Sequence, residues 1–147
     1  MPIRSIPAIT VYQPYASLMA GGHKTYEWRT WFVQYRGPLI IHAAKMILKE
    51  TWLNPLVRDA LQRMGYADIE ALPTGGIVGL VRLDGYRPVE YLLGKQMSPL
   101  DLSLCTRTPG GFGWVLKDAR QLPFVACRGA QGVWRYDLEV SDEQEES

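Results

Sequence analysis

The segment Gly22-His-Lys-Thr-Tyr-Glu-Trp-Arg-Thr-Trp31 carries the densest chemistry in the chain. Tyr26 to Trp31 alternates and reads as a strand. Tyr26, Trp28 and Thr30 then face one way, and Glu27, Arg29 and Trp31 the other. Lys24 sits at the mouth of that strand, just after a helix–glycine turn. A carboxylate and a guanidinium two residues apart have two readings. One is an exposed ion pair, which is common and weakly stabilising. The other is a cleft, in which Lys24 and Arg29 offer positive charge to a phosphate or a carbonyl oxygen. Glu27 would there accept hydrogen bonds from the exocyclic amine of a base, or hold Arg29 in place. Tyr12, Tyr15, Trp28, Trp31 and Tyr35 interleave with Lys24, Arg29 and Arg36. Aromatic faces beside basic groups hold single-stranded nucleic acid. Taken singly, each ring reads better as core, because aromatics bury large areas.

Other constellations carry less. His23 and His42 are the only histidines, and no H-x-x-x-H or H-E-x-x-H spacing exists. Cys105 and Cys127 lie 22 apart without a C-x-x-C. Neither a zinc site nor a disulfide scaffold is expected, and no metal or cofactor is assigned. His42 stands in an apolar run and reads as a hydrogen-bonded core or pocket-edge residue. Gly75-Gly76-Ile-Val-Gly79 and Gly110-Gly111-Phe-Gly113 read as turn glycines. No Gly-Lys-Ser/Thr follows either, and strands rather than helices come next.

The elements that must position these residues are short. Strands are expected at Ala8–Val11, Tyr26–Trp31, Leu39–Ala44, Ile77–Leu83, Trp114–Leu116, Phe124–Cys127 and Val133–Leu138. A helix opens at Pro14 and ends at Gly21-Gly22. Residues 47–64 are helical in character, broken at Asn54-Pro55, with Asn54 as N-cap of a second helix. Leu56, Ala60, Leu61 and Met64 are expected on its inner face. Val89–Leu93 reads as a short helix with loop beyond. Six or seven strands with early helices make an α+β chain with a β-barrel core.

Composition bounds the rest. At 147 residues, 47% hydrophobic and 21% charged, the chain has the size and balance of one globular domain. A chain this long buries roughly two-thirds of its unfolded surface. No signal-like h-region and no run near the ~18 apolar residues of a membrane span occur, so a soluble, cytoplasmic protein is expected. The net charge of +1 hides an asymmetry. Residues 1–65 carry eight Lys/Arg against three Asp/Glu, and residues 66–140 carry eight of each. Residues 141–147 carry four acids and no base, and read as a disordered acidic tail. The division expected is one domain over 1–140 and that tail. A body of +5 permits a phosphate-binding face. The tail offers an acidic segment to a basic protein partner. The oligomeric state is left open.

Several blocks together resemble the ASCH domain, a branch of the PUA-like superfamily. Gln13-Pro14-Tyr15-Ala16 is similar to that family's opening Q-P-W-A, and Gly22 to Arg29 to its signature G-x-K-x-x-E-x-R. Tyr35 to Lys45, Leu72 to Gly79, Gly113 to Leu116 and Gly129 to Trp134 are similar to later blocks. The resemblance implies a small PUA-like β-barrel of about six strands with flanking helices. It also implies a cleft lined by Lys24, Glu27 and Arg29, and a role in binding RNA or another nucleic acid. One branch of the family resembles N4-acetylcytidine amidohydrolases, and other members have been assigned ribonuclease activity. In the amidohydrolase branch the third residue after the signature lysine is a catalytic threonine. Here that position is Glu27. The candidate ligand-binding set is Gln13, Lys24, Thr25, Glu27, Arg29, His42 and Lys45, for RNA or a nucleotide-derived ligand. Were the chain an enzyme, a hydrolase of acylated nucleosides or a ribonuclease, Lys24 and Glu27 would be its catalytic pair, with glutamate as base and lysine steadying an oxyanion.

Overall fold

Ile3–Gln13 forms the first strand, β1, and its alternation supplies two cores at once. Ile9 and Val11 point to one side, and Ile6 and Ala8 to the other. The computed structural model describes residues 2–93, 97–106 and 109–139. Further strands are β2 (Tyr26–Arg29), β3 (Gly37–Ile47), β4 (Gly76–Pro88), β5 (Phe112–Ala126) and β6 (Trp134–Glu139). They form one mixed sheet in the order β2-β5-β4-β3-β1-β6, curled into a half-barrel. Only β1 and β3 run parallel, and the other pairs are antiparallel. Among the described residues, four α-helices accompany the sheet: α1 (Tyr15–Ala20), α2 (Pro55–Arg63), α3 (Val89–Leu93) and α4 (Pro99–Leu104). Among the described residues no helix is long and apolar enough to cross a membrane.

Of the apolar run Leu39–Ala44, residues 39–43 are buried on both faces, as a strand lying between two cores must be. On one face α1 packs Ala16, Met19 and Ala20 against Ile9, Leu39, Ile41 and Trp114. On the other, Trp134, Tyr136 and Leu138 of β6 close over Ile6, Ala8 and Ile40. A third cluster, including Leu18, Val57, Leu61, Ile69 and Leu100, joins α1, α2 and α4.

The α+β class and the strand-rich architecture are as expected, with differences that have local causes. The strands expected at Trp114–Leu116 and Phe124–Cys127 are one strand, β5. Positive φ at Asp118 (52°) and register shifts along the β4–β5 pair break the alternation without ending the pairing. The segment beyond Leu93 holds α4, capped by the Ser98 hydroxyl accepting from Asp101 N–H and started by Pro99. On α2, with Asn54 as its cap, Val57 rather than Leu56 faces inward, and Leu56 is exposed. Residues 49–53 form a 3-10 turn, not an α-helix. Gly76, Gly79 and Gly113 are strand glycines rather than turn glycines. A Cβ at Gly113 would meet the Trp28 ring at 2.6 Å. The disorder expected of the tail from Ser141 falls outside the described residues.

Candidate functional site

The helix α1 sets the position of Lys24. Its Leu18 carbonyl accepts from both His23 N–H and Lys24 N–H, which folds the chain back toward β2. Gly22 takes the turn at φ 78°, where a side chain would be strained. Gly21 must also lack a side chain, since a Cβ there would meet the Met64 Sδ at 2.8 Å.

β2 pairs with β5, placing Glu27 opposite Trp114 and Arg29 opposite Phe112. Glu27 and Arg29 share a face as the alternation requires, and Tyr26 and Trp28 stack on the other with centroids 5.4 Å apart. Lys24 is 2% exposed and Glu27 7%. Lys24 Nζ donates to the Tyr26 carbonyl and lies 3.4 Å from Glu27 Oε1. Glu27 Oε2 takes Arg29 Nε at 3.0 Å and Nη2 at 2.9 Å. Both carboxylate oxygens are therefore engaged, each by a different cation.

Aromatic rings frame the cluster. The Arg29 guanidinium stands 5.8 Å from the Trp31 ring and 5.9 Å from the Trp114 ring. Those two rings meet edge to face, and Trp114 Nε1 donates to the Trp31 carbonyl at 3.0 Å. Lys24 Nζ lies 5.7 Å from the Tyr15 ring centroid. Burial pulls the Lys24 pKa below its usual value, while Glu27 and Asp101 oppose that fall. Burial, then Glu50 and Glu27, raise Tyr15.

A cavity of about 1310 Å³ opens beside this cluster. Of the candidate residues, Lys24, Glu27, Arg29, His42 and Lys45 line it. Gln13 and Thr25 do not. Gln13 is fully buried, donating to Ser17 Oγ and the Pro73 carbonyl and accepting from Ser17 N–H, so it ties β1 to α1 and to the entry of β4. Thr25 turns toward α4, where its N–H and hydroxyl both bond to the Asp101 carboxylate, at 3.0 and 2.6 Å. Tyr12, Tyr15, Trp28 and Trp31 also line the cavity, whereas Tyr35 lies apart from it.

The far end of the cavity was not legible in the local pattern. Cys127 to Gly132 line it, and Gly129 packs on Thr10 and His42. A Cβ at Gly129 would clash with Thr10 Oγ1 and lie 2.7 Å from His42 Nδ1. His42 is 3% exposed. Its Nε2 lies 2.8 Å from the Cys127 carbonyl, which can only accept, so Nε2 is the donor. His42 Nδ1 and Trp28 Nε1 are buried without a hydrogen-bond partner among the described residues. The sequence signal for Gly129 was the Gly129-to-Trp134 block, with Arg128 just outside it; the Ser98-Pro99 helix start is the signal that could have found Asp101. Among the described residues, no three His, Cys, Asp or Glu side chains gather as a metal-holding group.

The charge of the lining is one-sided. Lys24, Arg29, Lys45 and Arg128 face the cavity against one acid, Glu27. Such a surface attracts an anion, and the rings beside it offer flat apolar faces.

The family model for the ASCH domain matches residues 9–101, which include Lys24, Glu27 and Arg29. No curated protein matches the chain in sequence. Among solved structures the chain is similar to the ASCH protein of Zymomonas mobilis, with a TM-score of 0.54 and 12% identity over 95% of this chain and 90% of that one. Two mutant forms of the same Zymomonas mobilis protein give TM-scores of 0.51 and 0.50, each at 14% identity. They cover 84% and 86% of this chain and 76% and 77% of theirs. At such identities the likeness is one of fold.

Proposed function

The chain belongs to the ASCH domain family, and from that premise we propose that its cavity binds a nucleotide-containing anion, with single-stranded RNA as the ligand it suits best. The observation that carries this reading is the lining charge: four bases face the cavity, and its one acid is already engaged by two of them. Arg29, held by Glu27 but partly exposed, offers its remaining N–H groups to a phosphate or a base oxygen. Lys45 and Arg128, both exposed, supply charge at the rim. Tyr12, Tyr15 and Trp31 supply stacking faces.

The test is a titration with short single-stranded RNA, followed by tryptophan fluorescence at several salt concentrations. Trp28 and Trp31 line the cavity and report directly. The expected result is a change that weakens with salt. In Lys45→Ala/Arg128→Ala the slope of log K against log salt becomes shallower by about 0.7 for each phosphate deprived of its cation. No response at low salt overturns the reading.

A second reading, hydrolysis of an acylated nucleoside, has one observation in its favour. Lys24 is buried at the cavity with a lowered pKa, which suits a group that exchanges protons. The engagement of both Glu27 oxygens counts against that residue as a free base. Release of cytidine from N4-acetylcytidine is the assay. Equal turnover by wild type and a folded Glu27→Gln protein rules out Glu27 as the base, and no turnover by wild type removes the reading.

A further inference from the structure

A second group of basic side chains lies outside the cavity. The chain leaves β2 at Arg29, passes Trp31, and reaches Tyr35 and Arg36 just before β3. The Tyr35 hydroxyl donates to the Pro38 carbonyl at 2.7 Å, which pins it at the start of β3. Pro38 pairs in register with Arg82 of β4. On the other side, β1 brings in Arg4, and β6 places Arg135 opposite Pro7. Arg4, Arg135 and Arg82 are all near enough to the Tyr35 hydroxyl to oppose the rise that burial gives its pKa, and no carboxylate acts on it comparably. Arg36 and Arg82 both act on Asp84, whose carboxylate is paired with Lys117 at 2.9 Å.

Arg135 of β6, Arg4 of β1, Arg36 at the entry to β3 and Arg82 of β4 thus gather at the end of the sheet that carries Tyr35. None of them lines the cavity. Arg135 is braced by Ser5, with Nε on the hydroxyl at 2.9 Å and Nη2 on the carbonyl at 2.7 Å. Among the described residues, no side-chain hydrogen bond or ion pair engages the other three guanidinium groups. The remaining acids nearby are Asp137 and Glu139, opposite Ser5 and Ile3, and they offset only part of this charge.

We propose that this cluster is a second anion site, which holds backbone phosphates of the same RNA strand whose nucleotide occupies the cavity. The inference rests on the RNA reading of the cavity and extends it to strand length. Guanidinium forks match phosphate oxygens, and arginines without partners, such as the exposed Arg4 and Arg36 and the half-buried Arg82, release counterions when a polyanion arrives. The seven-residue path from Arg29 to Arg36 sets an upper limit of about 25 Å between their Cα atoms. A dinucleotide therefore fills the cavity alone, and an oligomer of a dozen nucleotides reaches both.

The experiment compares a dinucleotide with a 12-nucleotide oligoadenylate, on wild type and on Arg4→Gln/Arg82→Gln. Expected for the variant is dinucleotide affinity within twofold of wild type, and 12-mer affinity reduced roughly tenfold at about 50 mM salt. The 12-mer salt slope becomes shallower by about 1.4, for two phosphate contacts. Arg36→Gln, outside every strand, repeats the test with about half the slope change should the double variant fold poorly. Unchanged 12-mer affinity, or an equal loss for dinucleotide and 12-mer, overturns the second site. Wild type binding both lengths equally overturns it while leaving the cavity reading intact. Wild type binding neither overturns both.

Discussion

Arg29 forks onto a single oxygen of Glu27, with Nε at 3.0 Å and Nη2 at 2.9 Å on Oε2, while Lys24 holds the other oxygen at 3.4 Å. One carboxylate thus bridges two cations, one of them almost wholly buried. Removing a partner from a buried pair leaves an uncompensated charge, which costs more than the pair contributes. Glu27→Gln keeps the shape but removes the anion, and is expected to cost about 3–5 kcal/mol in urea denaturation. A loss below about 1 kcal/mol would mean that the cluster behaves as a solvated surface pair.

Gln13 gives the contrasting case. It sits in the motif next to Pro14, yet its amide is consumed by Ser17 and Pro73 inside the fold. Gln13→Ala leaves the Pro73 carbonyl and Ser17 groups short of partners, at about 1–3 kcal/mol for each buried group left unsatisfied. Thermal melting should show the loss. RNA affinity, measured where the variant is fully folded, should match wild type. A weakened affinity there would return Gln13 to the ligand.

These two residues mark what was legible in the sequence. Glu27 and Arg29 lie two positions apart on one strand, so alternation alone predicts their shared face, while Lys24 is brought to them by the turn that follows α1. Gln13 lies in an equally local motif, but its direction is decided by Pro73, sixty residues away. The continuity of β5 was hidden for a related reason. The bend at Asp118 disturbs the local pattern, and only pairing with β4 shows that the strand goes on. The Cys127–Gly132 wall and the arginines around Tyr35 are assembled by the sheet order, which no local window contains. α4 was different: Ser98-Pro99 with Asp101 is a helix start written in the sequence, and the ambiguous pattern around it masked the signal.

Cys127 supplies a probe of the cavity that does not depend on activity. It lines the wall, and burial raises its thiol pKa. The thiolate is the reactive form, so alkylation at neutral pH should be slow and should speed up as pH rises. In a Cys105→Ser protein, saturating short RNA should slow iodoacetamide modification of Cys127 several-fold, read by intact-mass spectrometry. An unchanged rate would put the RNA somewhere other than this cavity.

The pH dependence of binding should be set by Lys24 and tuned by Asp101. Burial lowers the Lys24 pKa, and Glu27 followed by Asp101 pushes it back up. The folded protein therefore releases this proton at a lower pH than the unfolded chain does. Between that lowered value and the usual 10.5, the unfolded chain binds more protons, so Lys24's effect on stability becomes more favourable as pH rises through the window. RNA binding draws on the same charge and moves the opposite way, falling across the window. Tyr15 is raised above its usual 10.0, so it gives up its proton later than a free tyrosine does. Asp101→Asn removes one supporting carboxylate but keeps an acceptor for the Thr25 N–H. Its loss of affinity should begin at lower pH than in wild type. Affinity for oligoadenylate, whose bases lose no proton in this range, measured from pH 7 to 10 for both proteins, decides the matter. Superimposable profiles would mean that the ligand does not feel the Lys24 charge.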